Sequence, residues 1–139
     1  MAREVFLDSS GLYALGDRQD PAHAGAKQRV HRLASGGIRL ILTDYILDES
    51  ITLARARAGD IAALKLLQIV EQSHAFTMVW VGEERFDLAK AFFRKHADHD
   101  YSFTDCTSFV VMRELKLKEA LSTDRHFAEA GFQPLLPLT

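Results

Sequence analysis

"EVFLDSSGLYAL", residues 4–15, sets a short apolar run against a polar break and then a helical pattern. Val5, Phe6 and Leu7 follow one another without a polar residue between them. That is how a strand buried on both faces reads, as opposed to one alternating between core and water. Asp8 closes the run, and "SGLYAL" continues as a short helix. The same rhythm recurs downstream. "HAGAKQRVHRLAS" (23–35) is a predicted helix ending at Gly36-Gly37, and "IRLIL" (38–42) a second strand. Helices follow over 45–58 and 61–72, separated by Gly59 and Asp60. "FTMVWV" (76–81) is a third strand, holding Trp80 in the core, and 83–97 another helix. "TDCTSFVVMREL" (104–115) is a helix apolar on most sides. "EALST" (119–123) is a fourth strand, "RHFAEA" a helix of little more than one turn, and "QPLLPL" a last edge strand. Strands separated by helices imply a parallel sheet covered on both faces. The expected fold is a three-layer α/β/α sandwich with a mainly parallel sheet, a single domain over residues 1–139.

Composition bounds what such a domain can do. A chain of 139 residues closes one substantial core. No stretch approaches the roughly 18 consecutive apolar residues of a membrane span. "MAREVFLDSS" holds too short an apolar run for a signal peptide. The single Cys106 rules out an internal disulfide and a cysteine-built zinc site, and suits a reducing cytoplasm. A net charge of −2 gives no global signal for nucleic acid or anionic membrane, so any such signal must be local.

The local signal is acidic. Ligands of doubly wound sheets bind beyond the carboxyl ends of the strands. Asp8 ends the first strand and Asp124 the fourth, so both point to one edge of the sheet. Asp105, in "YSFTDCTSF" (101–109), opens an apolar helix whose free N–H groups and dipole favour negative charge. On the 45–58 helix, Ile46, Leu47, Ser50, Ile51, Leu53 and Ala54 define the inward arc. Glu49 flanks that arc, whereas Asp48 faces solvent with Arg55. Four carboxylates in one pocket cannot all stay ionised without a counter-charge. Oxygen donors without Cys or an obvious His pair select Mg²⁺ or Mn²⁺. Each acid also has a plain structural reading. Asp124 caps the helix after it, and Asp105 supports a helix capped by Thr104. Asp8 is a strand-ending turn residue capping "SGLYAL", and Glu49 is a flanking surface acid. Only the four together, at one edge, point to a metal.

"VFLDSSGLYAL", "DESITL", "DYSFTDCTSFVVM" and "ALSTDRHFAEAGF" together resemble the PIN-domain nucleases, in particular the VapC-type toxins of prokaryotic toxin–antitoxin modules. The acids occur in that family's order, Asp…Glu…Asp…Asp, at intervals of 41, 56 and 19 residues (8 to 49, 49 to 105, 105 to 124). Through 15–40 and 60–97 only the alternation of helix and strand agrees. The resemblance implies a Mg²⁺- or Mn²⁺-dependent endoribonuclease with Asp8, Glu49, Asp105 and Asp124 as its acidic site. Asp8 and Asp105 would ligate the metal directly, with Glu49 and Asp124 holding water of the ion's shell or a second ion. Ser9, Thr104 and Thr123 would bond the carboxylates or a phosphate, although capping and turn formation explain them equally well. His99 stands where relatives often carry a lysine that holds RNA, while Asp98 and Asp100 read as peripheral and solvated.

Further RNA contacts are expected from Arg55 and Arg57, a turn or two beyond Glu49. The resemblance also implies a homodimer and a cognate antitoxin. The antitoxin would lie in an apolar groove along residues 45–72, with an Arg or Lys entering the acidic site. Two alternatives remain at this point. One is a PIN-fold RNA-processing nuclease outside toxin–antitoxin modules. The other is a non-catalytic or receiver-like Mg-binding domain, of which the receiver form would need an acid pair near the first strand and a lysine at a late strand end.

Overall fold

The computed structural model describes residues 3–139; Met1 and Ala2, with that end of the expected 1–139 domain, lie outside the described residues. Five strands, β1 (Glu4–Leu7), β2 (Arg39–Thr43), β3 (Phe76–Val79), β4 (Glu119–Leu121) and β5 (Gln133–Pro134), form one sheet in the order β3-β2-β1-β4-β5. Every pairing is parallel, with Val5 opposite Leu40, Phe6 opposite both Ile41 and Ala120, and Leu42 opposite Met78. Seven helices connect and cover the strands: α1 (Ser9–Gly16), α2 (His23–Ser35), α3 (Asp44–Ala58), α4 (Asp60–Gln72), α5 (Gly82–Lys95), α6 (Phe103–Glu114) and α7 (Arg125–Glu129).

Val5, Phe6 and Leu7 are all fully buried. Successive strand side chains point to opposite faces, so such a run requires helices on both sides of the sheet. The expected three-layer arrangement is therefore the observed one. β3 is an edge strand, only half-buried along its length and finished at Val79. Trp80 consequently lies beyond the sheet and is 65% exposed, not in the core as expected, because an edge strand lacks the second neighbour that would cover it.

The order of strands creates the site. From β1 the chain builds outward through β2 and β3, then returns to place β4 against β1 on the other side. The carboxyl ends of β1 and β4 thus lie side by side at the point where the winding reverses, where doubly wound folds open a crevice. Gly11 makes that edge compact. A Cβ there would lie 2.2 Å from the Leu121 carbonyl oxygen, so glycine alone allows the first turn of α1 to sit on the end of β4. Phe127, fully buried, holds α7 down through Phe6 of β1 (ring centroids 6.3 Å apart) and Phe109 of α6 (5.0 Å, edge to face).

Candidate active site

Asp8 follows β1 directly and is 3% exposed. Its Oδ2 accepts hydrogen bonds from Ser10 Oγ at 2.8 Å and Ser122 Oγ at 2.9 Å. It stands at the N-cap position of α1 without making a side-chain cap, so the turn-residue reading does not describe its bonds. Burial pushes its pKa up to about 6 even though the two hydroxyls and the Ser9 N–H pull it down, and the charge of Asp124 adds to the rise.

Asp105 is the third residue of α6. Ser102 caps this helix, its Oγ accepting the Asp105 N–H at 3.0 Å while Asp105 Oδ2 accepts the Ser102 N–H at 3.0 Å. Thr104 is therefore not the cap: the helix starts one residue before the expected boundary, and Thr104 only lends its carbonyl to Thr107 Oγ1. Burial again raises the Asp105 pKa to about 6, opposed by the Ser102 N–H and assisted by the charges of Asp8 and Asp124. Asp124 caps α7 as its structural reading holds, its Oδ1 accepting the His126 N–H at 2.9 Å. Its own N–H is donated to Ser122 Oγ at 2.9 Å, which ties it to the residue that holds Asp8.

Glu49 lies half-buried beside the inward arc of α3 and accepts a hydrogen bond from Ser9 Oγ; Asp48 is exposed, as the helical wheel requires. Three of the acids lie close together, with Asp8 and Asp105 feeling the charge of Asp124 and Asp105 that of Asp8, while Glu49 meets the group only through Ser9, the residue next to Asp8. Of the expected supporting residues, Ser9 reaches an acid. Thr123 contributes its backbone N–H to Ser10 Oγ at 3.0 Å.

The expected RNA contacts lie further out. Arg57 packs its guanidinium over the Tyr13 ring (5.6 Å), eight residues and so about 12 Å along α3 from Glu49. Arg55 is exposed near the same helix end. His99 is exposed and stacks on Tyr101, centroids 4.7 Å apart and planes within 8°, while Tyr101 meets the His126 ring edge-on at 5.7 Å.

Sequence reasoning missed His126, Asp100, Ser10 and Ser122. Asp100 is not merely solvated: Oδ1 lies 2.7 Å from His126 Nε2, and Oδ2 lies 3.2 Å from Arg125 Nη2. His126 and Ser122 flank Asp124 at two positions on either side, a signal available in the sequence once Asp124 is taken as a site residue.

The donor set suits a small divalent ion. Carboxylate oxygens of Asp105 and Asp124 and a ring nitrogen of His126 lie within 4.8 Å of one another. Asp105 and the neighbouring Asp8 are both desolvated, with no Lys or Arg paired to either among the described residues. A bound cation would supply the missing charge.

A parallel α/β/α sheet with this acidic crevice at its switch point is the architecture of a PIN domain. The PIN-domain family model matches residues 5–133, and the chain belongs to that family. The 23S rRNA-specific endonuclease VapC20 of Mycobacterium tuberculosis is 32% identical over 139 aligned residues, 96% of this chain and 98% of that protein. The VapC ribonuclease of Archaeoglobus fulgidus is 32% identical over 100 residues, 71% of this chain and 62% of that protein. The crystal structure of M. tuberculosis VapC20, described as a sarcin–ricin loop cleaving toxin, superposes with a TM-score of 0.84 at 30% identity, covering 96% of this chain and 99% of that one. FitAcB from Neisseria gonorrhoeae shares the fold at a TM-score of 0.61 and 12% identity, with 94% of each chain covered.

A second concavity lies away from the acids. A groove of about 880 Å³ runs between α2 and α4 beside the start of β3, lined by Leu15, Val30, Ile69 and Phe76 and edged by Lys27 and Lys65. Of the expected 45–72 groove, α4 contributes a wall and α3 does not, since α3 packs inward between α1 and α4. No helix among the described residues is long and apolar enough to cross a membrane.

Proposed function

We propose that this chain, read as one domain over 1–139, is a Mg²⁺- or Mn²⁺-dependent endoribonuclease and the toxin of a toxin–antitoxin pair. The observation that carries the proposal is the closeness of Asp8, Asp105 and Asp124 at one sheet edge, Asp8 and Asp105 desolvated to a pKa of about 6, with Glu49 bonded to the neighbouring Ser9. Asp8 and Asp105 would hold the ion. Glu49, half-buried and bonded by Ser9, would accept a proton from the attacking water, and Asp124 would complete the cage. The ion, when bound, supplies an activated nucleophile and stabilises the charge that develops on the phosphate, leaving 3′-OH and 5′-phosphate ends. Ribosomal RNA is the first substrate to test, by similarity to a 23S rRNA-specific relative that matches nearly the whole chain. Arg55, Arg57 and His99 would contact the flanking RNA, with Thr104 and Thr123 shaping the rim.

The groove between α2 and α4 suits an amphipathic antitoxin helix with acidic flanks, since its floor is apolar and Lys27 and Lys65 edge it. Ile61 and Leu64, 79% and 64% exposed on α4, favour a homodimer through that helix, and the cytoplasm is the compartment that fits such a partner set. The test is incubation of wild type and Asp105→Asn with ribosomal RNA in Mg²⁺ or Mn²⁺, with an EDTA control. Cleavage by wild type alone, and only with the ion, is expected. Cleavage surviving the substitution or the chelator removes the proposal.

A further inference from the structure

The His126 ring is held in an orientation that the capping of α7 does not require. Asp100 is a carboxylate and only accepts, so the 2.7 Å contact with Nε2 means that Nε2 carries the hydrogen. The hydrogen bond from His126 and the charge of Arg125, which holds the other oxygen, keep the Asp100 carboxyl below the usual carboxylate range. The opposite nitrogen, Nδ1, is buried from solvent and makes no hydrogen bond. It nevertheless lies 2.8 Å from Asp124 Oδ1 and 3.7 Å from Asp105 Oδ2, close in distance but not aligned for donation to either. At 2.8 Å, Nδ1 and the Asp124 oxygen need a positive charge between them, supplied by a proton on Nδ1 when the imidazole is charged and by a bound cation when it is neutral. Neighbouring corners of an octahedral ion with bonds of about 2.1 Å are about 3 Å apart, near the Nδ1–Oδ1 separation.

A carboxylate that fixes one imidazole nitrogen so that the other faces a ligand cluster is the usual second shell of a metal-binding histidine. Tyr101 and Phe127 fix the ring further. Tyr101 meets it edge-on, and the adjacent Phe127 is fully buried against Phe6 and Phe109.

We propose that His126 Nδ1 is a direct ligand of the divalent ion, making the centre a mixed nitrogen–oxygen site with Asp100 as the residue that positions the ring. The inference rests on the reading of the crevice as a metal centre and adds a ligand outside the four acids. A nitrogen donor matters for the choice of ion. Imidazole suits transition metals, whereas Mg²⁺ takes oxygen, so His126 biases the site towards Mn²⁺.

The experiment is titration of the purified protein with MnCl₂, followed by pulsed electron paramagnetic resonance of the bound Mn²⁺. Wild type is expected to show ¹⁴N coupling from a directly ligated imidazole. His126→Gln should bind Mn²⁺ about tenfold or more weakly, without that coupling, while its Mg²⁺ affinity changes less. Asp100→Asn, which leaves the imidazole in place, should keep the coupling and weaken Mn²⁺ binding several-fold. It serves as the second variant should His126→Gln fail to fold. Mn²⁺ bound without ¹⁴N coupling, or coupling that persists in a folded His126→Gln, overturns the inference and leaves the acid site standing. Failure of wild type to bind Mn²⁺ at all overturns the metal centre itself, and this inference with it.

Discussion

At Asp8 a single carboxylate oxygen collects two hydroxyl hydrogen bonds, yet its pKa is still raised to about 6, because burial outweighs both. The hydroxyls do more than soften that burial. Ser122 Oγ donates to Asp8 and accepts the Asp124 N–H, so one small side chain sets the spacing of two acids from different strands. Ser122→Ala removes the donor and leaves the Asp124 N–H without its acceptor. The expected result is a loss of about 1–3 kcal/mol in urea unfolding, with weaker Mn²⁺ binding by calorimetry. A variant as stable as wild type would show that Ser122 is only a bystander. Asp105 behaves differently, since its Oδ2 already serves the helix cap. Asparagine keeps that acceptor, which makes Asp105→Asn a test of charge with the fold left in place.

Among the elements, the first turn of α1 and the start of α6 carry most of the geometry. Gly11→Ala would bring a methyl within 2.2 Å of the Leu121 carbonyl, and backbone cannot step aside as a side chain does. The helix must lift from β4, separating Ser10 from Ser122. A loss of about 1–3 kcal/mol is expected, together with a larger loss of RNA cleavage than stability alone explains. Thermal unfolding paired with the cleavage assay checks both. Ser102→Ala removes half of the α6 capping box, at a cost of about 1 kcal/mol, and frees Asp105 to rotate, so Mn²⁺ affinity should fall more than stability does. Unchanged affinity in that variant would mean that the cap does not orient the acid. Helix and strand positions were readable because unbroken apolar runs and 3.6-residue patterns are local properties of the chain. The cap was misassigned because Ser102 and Thr104 are equally good capping residues by type, and only the backbone turn at Ser102 decides between them. His126 and Asp100 escaped notice for a different reason. Their pairing spans 26 residues and depends on α7 being pinned beneath Phe109, which no local pattern records.

For the molecule as a whole, the acidic crevice makes folding stability depend on pH in an unusual direction. Most carboxylates are stabilised by their surroundings, as Asp17 and Asp100 are here, with pKa values held below the ordinary range by Tyr13 and His126 hydrogen bonds. Asp8 and Asp105 are the reverse. A carboxyl whose folded pKa lies above its unfolded one binds its proton more tightly when folded. The folded state therefore gains stability as pH falls from about 6 towards 4, and loses it as pH rises back through about 6. For Asp8, fully buried, the span corresponds to about 3 kcal/mol. His126 acts in the same direction, because Asp100, Asp124 and Asp105 together outweigh its burial and raise its pKa, so its contribution is also lost as pH rises. In EDTA the urea midpoint of wild type should fall between pH 4.5 and 7, and Asp8→Asn should flatten that decline. With saturating Mn²⁺ the trend should reverse, since a cation binds the ionised carboxylates and stabilises the folded chain by mass action. Should the EDTA profile of wild type be flat across that window, the acids are too far apart or too well solvated to share an ion. A flat profile would break the link between their burial and the proposed chemistry.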